Sequence, residues 1–204
     1  YEGPDGAHFE VYIAGTGSTA VLGGAQPWDM ASNAALVADQ DASSLQAVRS
    51  ALAAAGATGD SSVVFTGYSQ GGAIATRLAE SGEWTTAGLV TVGSPSGDLP
   101  VLGDYPAIVI EHREDLVPGL SGVRRETEAL VVQSEALRAG TASAAGATGA
   151  LAAHDLDRYR ATAERVDAST IDELRTRVDA LPGSGGGGAQ GTVLRFTATR
   201  IPPS

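Results

Sequence analysis

Three short, continuous apolar runs constrain the fold of this chain more than any other feature of its sequence. They cover Ser62–Thr66, Ala87–Val92 and Ala107–Ile110. Runs of this kind are typical of strands that are buried on both faces of a parallel sheet. An alternating stretch, His8–Ala14, predicts a strand before them. Ala129–Gln133 predicts one after them, although its charged flanks also permit a helix. The chain is therefore predicted to build its core around parallel strands.

Helical patterns occupy intervals between these predicted strands and follow the last one. The predicted helices span Asn33–Ala55, Gln70–Glu80, Asp155–Ala168 and Thr170–Leu181. Strands that alternate with helices predict an α/β fold, here a three-layer α/β/α sandwich with a mostly parallel central sheet. The length of 204 residues fits one compact domain. We expect this domain over residues 1–182, a glycine-rich spacer over 183–191, and a C-terminal edge strand or tail over 192–204.

The charge balance and the missing residue types exclude several classes of function. All 13 basic residues are arginine, against 24 acidic residues, which gives a formal net charge of −11. The absence of lysine excludes a Schiff-base lysine and a lysine-dependent phosphate loop. The acidic balance argues against nucleic acids and anionic membranes as partners. The absence of cysteine excludes disulfides, thiolate zinc sites and a cysteine nucleophile. No apolar run approaches the roughly 18 residues that a membrane span requires.

Two segments bear on the location and the context of the chain. Tyr1–Ala7 lacks the features of a signal peptide, so we expect an intracellular protein, a mature form or an excised domain. The compartment stays open, with secretion or the cell envelope slightly favoured over the cytoplasm; an acidic, lysine-free surface is compatible with secretion but does not show it. Gly183–Gly188 is typical of a flexible spacer and permits neighbouring domains in a longer parent protein.

The motif that carries chemistry is Gly67-Tyr-Ser-Gln-Gly71, which lies between a predicted buried strand and a predicted helix. A strand-to-helix turn this tight puts Ser69 in strained backbone geometry and projects its hydroxyl above the sheet. Gly67 and Gly71 are required because a Cβ at either position would collide with the neighbouring helix or strand. The backbone N–H of Gln70 begins the helix and points at the same place. Ser69 is therefore predicted to be a nucleophile with an oxyanion donor beside it.

A serine nucleophile requires a base, and the chain has three histidines. His154 is the best candidate because serine, acid and then histidine is the chain order expected on this fold. His112 fits that order only if the acid lies between Ser69 and residue 112. His8 opens the first strand, at the opposite edge of the sheet from the loops that follow the strands. The alternative interpretation of His154 is a cap of the helix that follows it.

Asp115 is the predicted acid, because it lies in the loop that follows the third buried strand. Its role would be to fix the tautomer of His154 and to stabilise the imidazolium ion. Glu114 beside it and Asp98 after the preceding strand remain alternatives. Asp115 could instead be a surface acid that pairs with Arg113.

Further residues at this edge of the sheet are predicted to complete the site. The first strand ends in Gly15-Thr-Gly-Ser18, where the backbone N–H of Thr16, or that of Gly17, can serve as a second oxyanion donor. Four apolar residues either line a substrate pocket or simply pack loops onto the core; they are Trp28, Met30, Leu116 and Val117. The alanine-rich segment 139–153 is interpreted either as a lid over the site or as an ordinary loop.

Over roughly residues 8–168 the chain resembles the α/β-hydrolase superfamily, and within it the small bacterial lipases and esterases and the cutinase-like serine hydrolases. The resemblance is carried by Gly67-Tyr-Ser-Gln-Gly-Gly72, Val92-Gly-Ser-Pro95, Glu114-Asp-Leu-Val-Pro118 and His154 followed by Tyr159. It implies a nucleophile elbow and a Ser69–Asp115–His154 catalytic triad. It also implies hydrolysis of a small-molecule or lipid carboxylic ester through an acyl-enzyme, with no metal or cofactor. Two other functions stay open: a thioesterase or acyltransferase that keeps the triad, and a catalytically silent module that binds a partner or lipid.

Overall fold

The computed structural model describes residues 2–3, 6–16, 42–136, 152–183 and 191–199. Its strands are β1 (Glu2–Gly3), β2 (Gly6–Ile13), β3 (Ser62–Tyr68), β4 (Thr85–Val92), β5 (Ala107–His112) and β6 (Leu130–Ser134). Its helices are α1 (Ser43–Ala54), α2 (Gln70–Ala79), α3 (Leu116–Gly119), α4 (Leu156–Asp167) and α5 (Asp172–Asp179).

Five parallel strands, β2 to β6, lie side by side in the order in which they occur along the chain. The two-residue strand β1 pairs with β2 in the antiparallel direction. The register aligns Ile13 with Gly67 and Val92 with Ile110, so the carboxyl ends of β2 to β5 lie at one edge of the sheet. The predicted α/β fold with a mostly parallel sheet is therefore confirmed.

Apolar side chains are buried on both faces of this sheet, because alternate residues of a strand point to opposite sides. On one face, Val63 and Phe65 of β3 pack in a cluster with residues of α1 and α2. On the other face, Ile108 and Ile110 of β5 pack with Tyr159 of α4 and with residues of α5. Helices from two parts of the chain therefore cover opposite faces and hold the strands between them.

Most predicted elements form close to their predicted bounds, and Ala129–Gln133 contributes to strand β6 rather than to a helix. For residues 192–204 the sequence left an edge strand or a tail open, and the edge strand does not form in the described residues 191–199, which belong to no strand or helix. Val193 is 94% exposed there. An alternating sequence forms a strand only where another strand accepts its hydrogen bonds, and no described strand pairs with this segment.

Several predicted features fall outside the described residues. They are the first part of the helix Asn33–Ala55, Gly17, Trp28 and Met30, most of the segment 139–153, and spacer residues 184–190. Within the described ranges, no helix combines the length and the apolar composition needed to cross a bilayer.

Candidate active site

Ser69 occupies the turn between β3 and α2, at the edge where the parallel strands end. Its φ of 54° and ψ of −124° make it the one non-glycine residue with positive φ among the described residues. Its backbone N–H donates to the carbonyl of Val92 at 2.9 Å, which ties the turn to the end of β4. A non-glycine residue in this backbone conformation destabilises the folded chain by about 1–3 kcal/mol, and the conformation persists only where the surrounding structure holds it.

Gly67 and Gly71 allow this turn because backbone atoms approach each of them too closely for a side chain. A Cβ on Gly67 would lie 2.1 Å from the carbonyl oxygen of Gly71. A Cβ on Gly71 would lie 2.2 Å from the carbonyl oxygen of Ile13, at the end of β2. Both distances are far inside van der Waals contact, so the predicted need for glycine at these positions is confirmed.

His154 reaches Ser69 from the segment that precedes α4. Its Nε2 lies 2.9 Å from Oγ of Ser69, and its Nδ1 lies 2.6 Å from Oδ2 of Asp115. A carboxylate oxygen only accepts hydrogen bonds, so Nδ1 carries the hydrogen and Nε2 is left to accept from the serine hydroxyl. The structure therefore brings Ser69, His154 and Asp115 together in one chain of hydrogen bonds.

Asp115 caps the N-terminus of α3 and is buried beneath the imidazole of His154. Its Oδ1 accepts from the backbone N–H of Val117 at 2.9 Å, and its Oδ2 accepts from the hydroxyl of Tyr159 at 2.7 Å as well as from His154. Burial raises the pKa of Asp115, but these hydrogen bonds outweigh it, and the pKa lies below its ordinary value of 3.8. Asp115 is therefore an ionised group at neutral pH.

The other acid and base candidates have different partners. Oε2 of Glu114 accepts from the backbone N–H of Ala136 at 3.0 Å, beyond the end of β6. The ring nitrogens of His112 contact the carbonyl oxygen of Ala153 at 2.7 Å and Oγ1 of Thr162 at 2.9 Å. His8 pairs with Ser62 in the register of β2 and β3, at the opposite ends of the strands from Ser69. Asp98 follows β4, and no contact with His154 is recorded for it.

The loop after β2 lies directly against the serine. A Cβ on Gly15 would lie 3.1 Å from the Cβ of Ser69. Oγ1 of Thr16 donates to the side-chain oxygen of Gln70 at 3.4 Å, and Nε2 of Gln70 donates to Oγ of Ser44 at 3.3 Å. Because α2 begins at Gln70, the first backbone N–H groups of this helix have no partner within it. The side chains of Thr16 and Gln70 therefore contact each other next to Ser69.

Of the four predicted pocket residues, two lie on α3 immediately after Asp115. Leu116 is 64% exposed, and Val117 is half-buried. Leu120 at the end of the same helix is 69% exposed. These apolar side chains flank the acid end of the site, and Leu116 and Leu120 face solvent rather than the core.

Two tyrosines at the site were not predicted to take part in it. The ring of Tyr68 stacks on the imidazole of His154 with centroids 5.1 Å apart, and its hydroxyl donates to the carbonyl of His154. Burial, with the charges of Asp115 and Asp155, raises the pKa of Tyr68 to about 12, which keeps this donor protonated. Tyr159 donates to Asp115. The resemblance included Tyr159 after His154, but no sequence signal indicated its contact with the acid.

Among the residues that the structure describes, no cluster of three or more His, Asp or Glu side chains is placed to hold a metal ion. Comparisons with protein-family models, with curated proteins and with solved structures find no match. The interpretation of the site therefore depends on its geometry and on the chemistry of its residues.

Proposed function

We propose that this chain is a serine hydrolase of the α/β-hydrolase type that cleaves carboxylic esters through an acyl-enzyme. The observation that carries the proposal is the hydrogen-bonded chain from Ser69 through His154 to Asp115. It starts on a strained strand-to-helix turn and ends on a buried carboxylate. A serine in an ordinary turn needs neither the strained backbone nor the imidazole, so the combination favours nucleophilic catalysis over a structural role.

In the first half of the reaction, Oγ of Ser69 attacks the carbonyl carbon of the ester while its proton passes to Nε2 of His154. The carbonyl oxygen becomes an oxyanion in the tetrahedral intermediate. When the carbon–oxygen bond to the alcohol breaks, His154 gives the proton to the departing alkoxide. The acyl group then remains on Ser69.

In the second half, His154 takes a proton from water, and the water oxygen attacks the acyl carbon. Collapse of this intermediate breaks the bond to Ser69, which recovers its proton from His154, and the carboxylic acid departs. Asp115 stabilises the imidazolium in both halves. Its pKa lies below the ordinary value, so it keeps its negative charge when His154 is protonated.

The oxyanion is held in this proposal by the backbone N–H groups of Gln70 and Thr16. Gln70 begins α2, where the helix dipole favours negative charge, and Thr16 lies in the loop packed against Ser69. A hydrogen-bond donor that is aimed at the oxyanion raises kcat by a factor of about 10²–10³. Leu116 and Val117 are the described residues that would contact an acyl or alcohol group.

A fluorophosphonate probe tests this proposal directly, because it reacts with activated serine hydroxyls whatever the natural substrate is. We expect the parent chain and a Ser62→Ala control to be labelled and a Ser69→Ala variant to remain unlabelled. Labelling that persists in Ser69→Ala would contradict the assignment of Ser69 as the nucleophile. A parent chain that is never labelled would contradict the proposal and favour a catalytically silent module.

A series of p-nitrophenyl esters with acyl chains of increasing length then tests the reaction and the size of the acyl site. The same acyl groups presented as thioesters, and as esters with an added alcohol acceptor, distinguish hydrolysis of esters from thioesterase and acyltransferase activity. We expect release of free carboxylic acid from the esters. If the chain transfers the acyl group to the alcohol in preference to water, the proposed activity is an acyltransferase rather than a hydrolase.

A further inference from the structure

Tyr159 on α4 contacts the same carboxylate oxygen of Asp115 as His154 does, and it is 1% exposed. Its hydroxyl contacts Oδ2 of Asp115 at 2.7 Å and the backbone nitrogen of His112 at 3.1 Å. A backbone N–H can only donate, so the tyrosine oxygen accepts from His112, and its own hydrogen points to the carboxylate. Burial and the neighbouring Asp115 raise the pKa of Tyr159, so the hydroxyl stays protonated and acts as a donor.

Two donors therefore converge on one oxygen of Asp115. Oδ2 accepts from Nδ1 of His154 and from Tyr159, while Oδ1 accepts from the backbone of Val117. Rotation of the carboxylate about its Cβ–Cγ bond would break the bonds to Tyr159 and Val117 together. The orientation in which Asp115 meets the imidazole is thus fixed by groups other than the imidazole itself.

Tyr159 is in turn held by His112, whose ring stacks on it with centroids 3.7 Å apart and planes 8° from parallel. Nδ1 of His112 donates to the carbonyl oxygen of Ala153, the residue before His154, and Nε2 contacts Oγ1 of Thr162 on α4. One buried ring thereby ties together the end of β5, helix α4 and the segment that carries the base. Burial and this stack therefore hold the ring of Tyr159 against the carboxylate of Asp115.

We propose that Tyr159 is a positioning residue of the active site, which holds Asp115 in the orientation that orders His154 and which partly neutralises the charge of the carboxylate. This inference rests on the proposed function and adds a fourth side chain to its machinery. Tyr159 does not contact the reacting atoms; it acts through Asp115.

Other titratable groups surround this part of the site and are left unchanged by removal of the hydroxyl. Tyr68 faces it from the end of β3, Glu111 and His112 face it from β5, and Asp155 precedes α4. Glu111 is paired with Arg124. The hydroxyl of Tyr159 has two hydrogen-bond partners, the backbone N–H of His112, which does not titrate, and the carboxylate of Asp115, which does. A shift in pH dependence on loss of the hydroxyl therefore reports its bond with Asp115.

The test is Tyr159→Phe, which keeps the ring and its stack on His112 and removes only the hydroxyl. We expect kcat on an ester to fall about tenfold with KM unchanged, the effect of losing one hydrogen bond to a charged group. We also expect the acid-side midpoint of kcat/KM to move to higher pH, because the His154–Asp115 pair takes up a proton more readily without this donor. Tyr105→Phe is the matched control, since the hydroxyl of Tyr105 donates to the carboxylate of Glu80 elsewhere in the fold.

A carbon-13 NMR titration of the Asp115 carboxyl tests the inference without any enzymatic reaction. We expect the pKa of Asp115 to rise in Tyr159→Phe, because a bond that lowers it is lost, and to be unchanged in Tyr105→Phe. A folded Tyr159→Phe chain with the parental Asp115 titration would overturn the inference, as would a uniform loss of activity with no shift along the pH axis. A Tyr159→Phe chain that unfolds assigns the hydroxyl to stability and overturns it too. If the parent hydrolyses no ester, the proposed function fails, while the titration still decides whether Tyr159 acts on Asp115.

Discussion

The strained backbone of Ser69 predicts that the two simplest inactivating substitutions differ in stability. Ser69→Ala removes the hydroxyl but keeps a Cβ at a φ of 54°, whereas Ser69→Gly removes the hydroxyl and relieves the strain. Relief of the backbone strain raises the free energy of unfolding by about 1–3 kcal/mol. The greater conformational freedom of glycine in the unfolded chain lowers it by about 0.5–1 kcal/mol. We therefore expect Ser69→Gly to be more stable than Ser69→Ala by about 1 kcal/mol, or about 2–4 °C in Tm for a chain of this length.

Urea unfolding followed by circular dichroism measures this difference, with thermal unfolding as a second probe. Ser62 on β3 supplies the matched pair, because no positive φ is recorded there. At Ser62 the order should reverse, with glycine less stable than alanine. If Ser69→Gly is no more stable than Ser69→Ala while the Ser62 pair behaves as expected, the turn stores no strain and our account of the nucleophile's backbone is incorrect.

Two further predictions concern the acid. Asp115→Asn should lower kcat by about 10³–10⁴ with little change in KM, because an amide cannot stabilise the imidazolium as a carboxylate does. Glu114→Gln should leave ester hydrolysis near the parental rate, and equal losses in the two variants would refute the assignment of the acid. The stability that ionised Asp115 contributes is fully present above its ordinary pKa of 3.8 and declines as pH falls through its lower folded value. The difference in unfolding free energy between the parent and Asp115→Asn should therefore shrink below about pH 4; a constant difference in urea titrations would contradict the lowered pKa.

The sequence predicted the framework of the fold because strand burial has a direct chemical signature. Val63–Phe65 and Ala107–Ile110 are apolar without interruption. The structure buries every residue of β5, whereas buried and half-buried residues alternate along β3. The sequence could not decide between an edge strand and a tail near Val193, because alternation indicates which residues a strand would bury and not whether a partner strand is present to pair with it. Short elements such as the four-residue helix α3 carry too few residues to show a period at all.

For the site, the sequence predicted the groups whose identity is dictated by chemistry and missed those that act through position. Ser69 was indicated by its motif, and His154 and Asp115 by their order after it; the structure brings all three together. Tyr159 and His112 were not assigned to the site, because a buried tyrosine on an apolar helix face and a histidine at a strand end are also ordinary core residues. Only the tertiary arrangement shows that one donates to the acid and the other stacks on it.

The order of the site residues along the chain has a consequence for biosynthesis. Ser69 and Asp115 are both translated before β6, whereas His154 and Tyr159 arrive with α4, after the whole parallel sheet has been made. A nascent chain that ends at β6 thus holds Ser69 without His154, the residue that accepts the serine proton in the proposed mechanism. On the proposed mechanism, Ser69 becomes reactive only after His154 and α4 have left the ribosome, so a nascent chain that ends before them cannot form the acyl-enzyme.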